Sequence, residues 1–186
     1  MIITAQDGIS RILRPCEYKA LRNATPMLIS KLRMDALLYT GARFIELKEL
    51  KGKPDLFSRD DKVVQLTTRK IKVKTKKRYC RLNDNGVKAL ETLLSIKKKN
   101  LMPTRETWNE MIKKWAIIAG IDPTGITSKT MRKTWESWLV TKYHQHTVQI
   151  FSSQGHTSIT AINHYLSLPF TEEDKKEMEE FTRNWV

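Results

Sequence analysis

Residues 154–168 read QGHTSITAINHYLSL. Gly155 and His156 open the stretch, Tyr165 follows nine residues after the histidine, and two short helical patterns flank the glycine. Singly, each residue has a bland reading: Tyr165 as a core aromatic, His156 as a helix-terminus residue. The stretch gains weight from three patterns farther up the chain.

Nearest is Lys129-Thr130-Met131-Arg132, at the start of a helical run that continues Lys133-Thr134-Trp135. Positions i and i+3 share a helix face, so both cations can reach one phosphate. Before it, from Lys62 to Leu82, the runs VVQL, KIKVKT and RYCRL predict a small antiparallel sheet. Period two puts Lys70, Lys72 and Lys74 on one face, with Lys76, Lys77, Arg78 and Arg81 following. Such a hairpin is either an edge kept soluble by lysines or a basic ribbon along a DNA backbone with one lysine at the chemistry. Earlier still, GARFIEL (Gly41 to Leu47) sets Arg43 just past a helix break. Glu46, three residues on, either orients that guanidinium or forms an ordinary surface pair with it.

The remaining patterns are helical. Pro15 begins a short helix ending near Thr25-Pro26, and Leu28, Ile29, Leu32, Ala36, Leu37 and Tyr39 predict a core helix up to Gly41. Phe44, Ile45 and Leu47 mark a second run that Lys53-Pro54-Asp55 closes. Further helices are expected from a cap at Asp84 or Asn85 to about Lys98, from Thr104 to Gly120, and from Ser128 to Tyr143. Thr171 and Asp174 start a last one, whose Met178, Phe181 and Trp185 form an apolar stripe that must dock on this chain or a neighbour. The fold class is thus mainly α with a small antiparallel β-sheet, divided into a principal domain (1–170) and a helical tail (171–186).

Bulk properties narrow the partner. The 186 residues are 40% hydrophobic and 29% charged, as in globular proteins, with a net charge of +14. The tail from Thr171 holds six acids against three bases, leaving 31 bases and 14 acids in residues 1–170, a surplus of +17. A basic body with a non-basic tail points to a polyanion. No apolar run reaches the roughly 18 residues of a membrane span, no signal-peptide core opens the chain, and no basic amphipathic helix suits a membrane surface. An intracellular setting and double-stranded DNA, not a membrane, are expected. Cys16 and Cys80 lack CxxC spacing and are read as buried structural thiols. His144, His146 and His164 lack nearby cysteine or acid ligands, so neither a metal nor another cofactor is expected.

Taken in order, the four patterns resemble the tyrosine recombinase (phage integrase) family over nearly the whole chain. GARFIEL is similar to the family's G-x-R-x-x-E-L, KTMRKTW to its H-x-x-R-H-T-F, and GHTSITAINHY to its glycine-histidine pair and tyrosine. The resemblance implies the DNA breaking-rejoining catalytic fold, with Arg43 and Arg132 as the paired arginines and Glu46 as the supporting acid. It also implies His156 as the third basic residue, Tyr165 as nucleophile and Lys129 in the usual histidine position. Lys74 aligns best with the family's hairpin lysine and Lys72 second, while Lys70, Lys72, Lys76, Lys77 and Arg78 are expected to contact DNA. Lysine at position 129 resembles integrases of archaeal viruses, and also type IB topoisomerases; GARFIEL and GHTSI are closer to recombinases. An archaeal virus or mobile element is therefore the expected source. Members usually carry an N-terminal DNA-clamping domain, which is expected to be absent because the first arginine arrives at position 43. By the same resemblance the chain assembles as a homo-oligomer on DNA, with the tail docking on a neighbouring protomer.

Phosphodiester chemistry explains the residue types. The phosphate oxygens repel a nucleophile, and accelerations on phosphate esters reach on the order of 10¹⁷-fold or more, so charge neutralisation must dominate. An arginine fork binds two oxygens, a phenol with a pKa near 10 needs cations around it to attack, and a lysine can protonate the leaving 5′ oxygen. A 3′-phosphotyrosyl bond keeps the bond energy, so rejoining needs neither ATP nor metal. The expected activity is site-specific recombination or integration. The rivals are a type IB topoisomerase and a DNA-binding module of the same fold with little cleavage.

Overall fold

The computed structural model describes residues 2–5, 7–50, 53–70, 73–96, 102–155 and 161–186, with backbone alone at 68–70, 73–76 and 161–163. Strands β1 (Ile3–Thr4) and β2 (Arg11–Ile12) pair antiparallel across a loop in which Asp7 accepts hydrogen bonds from the Ile9 and Ser10 amides. Helix α1 (Pro15–Ala24) has proline in its first turn. Next come α2 (Leu28–Thr40) and α3 (Phe44–Glu49), separated by Gly41 in the left-handed conformation. A 3-10 turn at Pro54–Leu56 closes that region, as the Lys53-Pro54-Asp55 breaker predicts.

Strands β3 (Phe57–Ser58), β4 (Val63–Lys70) and β5 (Val73–Arg81) form one antiparallel sheet in that order. The sheet is small and antiparallel as expected, but KIKVKT is not a strand of its own. Lys70 ends β4 and pairs with Val73 at the start of β5, so the chain reverses between them. Lys70 and Lys74 therefore belong to different strands, and period two does not carry from one to the other.

The rest is helical: α4 (Asp84–Ser95), α5 (Arg105–Ile118), α6 (Thr130–Lys142), α7 (Thr147–Gln154), α8 (Ala161–Leu166) and α9 (Glu172–Thr182). The α4 cap is Asn83, whose side chain accepts from the Gly86 amide at 2.9 Å, rather than Asp84 or Asn85. No described helix is long and apolar enough to cross a membrane.

Helix α6 is the axis of the domain. From Thr130 to Val140 every residue except Lys133 is buried, because α2, α7, α8, α9 and β2 pack around it. A helix enclosed on all sides must satisfy its polar groups inside the protein. Thr134 Oγ1 accepts from the Leu13 amide and Trp138 Nε1 donates to the Leu13 carbonyl, both at 3.0 Å, which ties α6 to the chain following β2. Arg132 and Glu136 remain as charges in the core.

Helix α9 begins with the expected reciprocal cap between Thr171 and Asp174. Its apolar stripe finds cover at home: Met178 and Trp185 are buried, and Phe181 packs edge-on against Tyr18 with ring centroids 5.6 Å apart. Trp185 Nε1 donates to the Arg81 carbonyl at 3.2 Å, and Lys19 pairs with Glu177 at 2.9 Å. Docking this stripe on a neighbour would require releasing these contacts. Cys80 is buried, but Cys16 is exposed, contrary to the expectation of two buried thiols, because it lies on the outward side of α1.

Candidate active site

The site is built outward from the turn at Gly41. There the backbone has φ +54°, and a Cβ would stand 2.1 Å from Gln154 Oε1, so both conformation and space demand glycine. The Gly41 carbonyl accepts from Arg132 Nη1 at 2.6 Å and from Arg78 Nη2 at 3.4 Å. Arg132 also donates to the Gln154 carbonyl and side chain, and its Nη2 pairs with Glu136 Oε1 at 3.0 Å.

A second carboxylate, Glu46, fixes the other two arginines. It is buried at the first turn of α3, with Oε1 2.7 Å from Arg43 Nη1 and Oε2 2.7 Å from Arg78 Nη2. Oε2 also accepts from the Arg43 amide at 2.8 Å, capping the helix and aiming the arginine together. Arg78 donates further to the Ser153 carbonyl, and a Cβ on Gly155 (φ +68°) would approach its Cδ to 2.7 Å. Burial works against the Arg78 cation, but Cys80 and Glu46 beside it outweigh that and move its pKa up. For Arg132 burial prevails over the help from Glu136, and the shift is downward. Neither shift threatens the charge of a guanidinium.

In front of this cluster lies an open cleft of about 810 Å³. Six cations line it, Arg43, Lys48, Arg105, Lys129, Arg132 and Lys133, against two acids, Asp7 and Glu106. Like-signed walls around a concavity concentrate the field and attract an anion. Lys129 is exposed at the start of α6, and Arg132 follows one turn later from the interior.

Tyr165 approaches from α8. Its ring is buried, and its hydroxyl donates to Glu136 Oε2 at 3.0 Å and accepts from Lys133 Nζ at 3.1 Å. The other oxygen of Glu136 is the one on Arg132, so a single carboxylate separates the phenol oxygen from that guanidinium. Burial, then the charge of Glu136 and its hydrogen bond, push the Tyr165 pKa well above that of a free phenol, with Arg132 opposing. As it stands the hydroxyl is protonated. Lys133 connects it to the cleft, since it both touches the phenol and lines the wall.

Of the residues singled out by sequence, Arg43, Glu46, Lys129, Arg132 and Tyr165 converge on this region. The backbones of Lys70, Lys74 and Lys76 run in β4 and β5, but their side chains, together with Lys72 and His156, lie outside the described residues. Lys77 is exposed. Arg78 is a correction: expected on the DNA-facing hairpin, it is buried, because the alternation of β5 turns it inward with Cys80 while Lys77, Tyr79 and Arg81 face out. Lys133, Glu136 and Gln154 were not anticipated. The signal for Glu136 is an acid at i+4 from Arg132 between two tryptophans, a place where a charge survives only with partners. Among the described residues no three His, Cys, Asp or Glu side chains group as metal ligands would, and His164 instead bonds to the Thr4 carbonyl at 3.0 Å.

Comparison with solved structures finds the same fold. Tn1549 transposon integrase in complex with circular intermediate DNA superposes with a TM-score of 0.66 at 17% identity, covering 91% of this chain and 64% of that one. XerA recombinase gives 0.59 at 24% identity, covering 92% and 63%. XerH site-specific recombinase bound to difH substrate gives 0.64 at 17%, covering 94% and 53%. The chain thus spans between about half and two-thirds of these proteins. No curated protein matches in sequence. The phage integrase family model matches residues 3–172, a span that holds the arginine cluster, the cleft and Tyr165, and the chain belongs to that family.

Proposed function

We propose that this protein is a site-specific recombinase or integrase that cleaves and rejoins double-stranded DNA through a covalent 3′-phosphotyrosyl bond to Tyr165. The observation that carries the reading is the meeting of a cation-lined cleft and a phenol hydroxyl at one carboxylate, Glu136. In this reading Arg43 and Arg132 grip the non-bridging oxygens of the scissile phosphate, and Glu46 keeps Arg43 aimed. Lys129 and His156 donate hydrogen bonds to the oxygens of the pentacoordinate phosphate, and Lys74, with Lys72 as alternate, protonates the leaving 5′ oxygen. Lys70, Lys76 and Lys77 follow the DNA backbone. Tyr165 attacks from beside Lys133, the residue that touches its hydroxyl and lines the cleft wall. Protomers assemble on DNA, and exchange of the α9 stripe between them would replace the contacts it makes within one chain.

A nicked suicide substrate tests this directly. The native chain should trap a covalent protein-DNA adduct, Tyr165→Phe should trap none, and absence of adduct from both would overturn the reading. The buried, hydrogen-bonded phenol favours a second reading, a DNA-binding module with little cleavage, and that is what absence of adduct would support. Relaxation of supercoiled plasmid of any sequence, without strand exchange at a particular site, would instead indicate topoisomerase-like activity.

A further inference from the structure

Attack by Tyr165 requires that its hydroxyl proton leave. Arg43 and Arg132 are cations and cannot take it, and Lys133 can do so only after losing its own. We propose that Glu136 is the proton acceptor for Tyr165, with Lys133 holding the hydroxyl and carboxylate in line; the inference rests on the phosphotyrosine reading above.

Three observations carry it. Glu136 touches the reacting atom itself, with Oε2 at 3.0 Å from the Tyr165 hydroxyl and Lys133 Nζ 3.1 Å from the same oxygen and 3.5 Å from Oε2. Its carboxylate is fully buried on a helix that packs on every side, where a neutral residue would avoid the penalty of desolvating a charge. And its two oxygens face different groups: Oε1 faces Arg132, the residue proposed to grip phosphate, while Oε2 faces the nucleophile.

This division couples substrate arrival to proton transfer. A scissile phosphodiester drawn to Arg132 and Lys133 competes with Glu136 for the cations that favour its ionised form. The second negative charge beside it makes the carboxylate a stronger base. As the Tyr165 oxygen bonds to phosphorus, its O–H bond breaks, the electron pair stays on oxygen and the proton passes to Glu136 Oε2. The bond from phosphorus to the 5′ oxygen breaks with its pair on that oxygen, which takes a proton from the hairpin lysine. Neutral Glu136 then no longer repels the phosphate, and it can return the proton to Tyr165 when the strand is resealed.

Other charges facing the pair are Arg132 and Lys133 on α6, and Asp7 from the loop between β1 and β2. The Arg43, Glu46 and Arg78 cluster of α3 and β5 lies beyond Arg132, and the His164 ring stands 5.8 Å from that of Tyr165. The His164 ring is the nearest imidazole to the pair, so His164→Gln serves as a control for the pH profile.

The test is the single-turnover rate of adduct formation on the nicked substrate, measured from about pH 6 to about pH 9.5, with DNA affinity and thermal unfolding measured alongside. Glu136→Gln keeps the shape and an acceptor oxygen but cannot take a proton. It should form adduct about 10²-fold or more slowly near neutrality, bind DNA as the native chain does, and recover toward high pH as Tyr165 ionises unaided. Glu136→Asp, which restores a carboxylate one methylene shorter, should recover part of the rate and keep the native pH inflection. If Glu136→Gln matches or exceeds the native rate, the carboxylate is a restraint on the tyrosine and the inference is overturned. Should the glutamine variant not fold, an aspartate variant with the native rate at every pH overturns it equally. No adduct from the native chain removes the phosphotyrosine reading and this inference together, whereas native cleavage with an unaffected Glu136→Gln removes this inference alone.

Discussion

Two sets of cations are neighbours along the chain, Lys77 beside Arg78 and Lys129 three residues before Arg132, and are held in opposite ways. Arg78 and Arg132 are buried, and their Nη groups donate to the Gly41, Ser153 and Gln154 backbone and to Glu46 and Glu136. Lys77 and Lys129 are exposed and carry their charge into solvent. The buried set gives position, because a guanidinium held by carbonyls and carboxylates cannot wander; the exposed set gives attraction, because solvated lysines screen and rearrange. Arg43 stands between them, half-exposed in the cleft and fixed from behind by Glu46. A reactive phosphate needs both, long-range attraction to arrive and fixed donors when charge builds.

If that contrast is right, the largest effect should come from the buried set. Arg132→Ala leaves the Glu136 carboxylate and two backbone carbonyls without their main cation, and should lower folding stability by about 3–5 kcal/mol, read by urea denaturation, while abolishing adduct formation. A loss below about 1 kcal/mol would mean the buried contacts are dispensable. Next, Gly41→Ala forces a side chain into the left-handed region and against Gln154, and should cost about 1–3 kcal/mol. Because the Gly41 carbonyl orients Arg132, its adduct rate should fall more than its DNA affinity. Equal falls would place Gly41 outside the catalytic geometry. For the exposed set, Lys77→Ala should change stability by no more than about 0.5 kcal/mol and reduce the salt slope of DNA binding by about one ion. An unchanged slope would remove Lys77 from the DNA interface.

The same contrast explains what could be read in advance. Helix α2 and its stop were legible because an apolar period ends at a glycine, and the αL geometry at Gly41 is the physical content of that signal. Arg43 and Glu46 were legible as a local pair because their contact spans three residues. Helix α6 was legible as a helix but not as the axis, since a helix packed on every side has no single apolar stripe to betray its partners. The hairpin register was hidden by its lysines: charged residues on both faces supply little in/out contrast, and among the described residues it is Val64 and Leu66 on β4 with Arg78 and Cys80 on β5 that mark the inner face. The bond from Tyr165 to Glu136 joins residues 29 apart and depends on how α8 seats on α6, which no local pattern encodes.

The smallest expected effect concerns the acid on the cleft wall. Burial would raise the Asp7 carboxyl, but hydrogen bonds from the Ser10 amide and hydroxyl and the Ile9 amide, with the nearby charge of Lys129, outweigh it and hold the pKa at about 2 against an ordinary 3.8. A pKa lowered in the folded state contributes stability that is present above the unfolded value and lost as pH falls through the folded one. The contribution should therefore be complete above about pH 4 and gone near about pH 2, and Asp7→Asn should flatten the melting temperature over that interval while leaving neutral pH nearly unchanged. Because Asp7 is largely exposed, solvent screening keeps the effect modest. The variant also separates the two sets of cations. Removing a negative charge from the cleft should raise DNA affinity at low salt through the exposed lysines without altering the adduct rate of bound DNA, whereas a changed rate would show that the loop between β1 and β2 reaches the reacting groups.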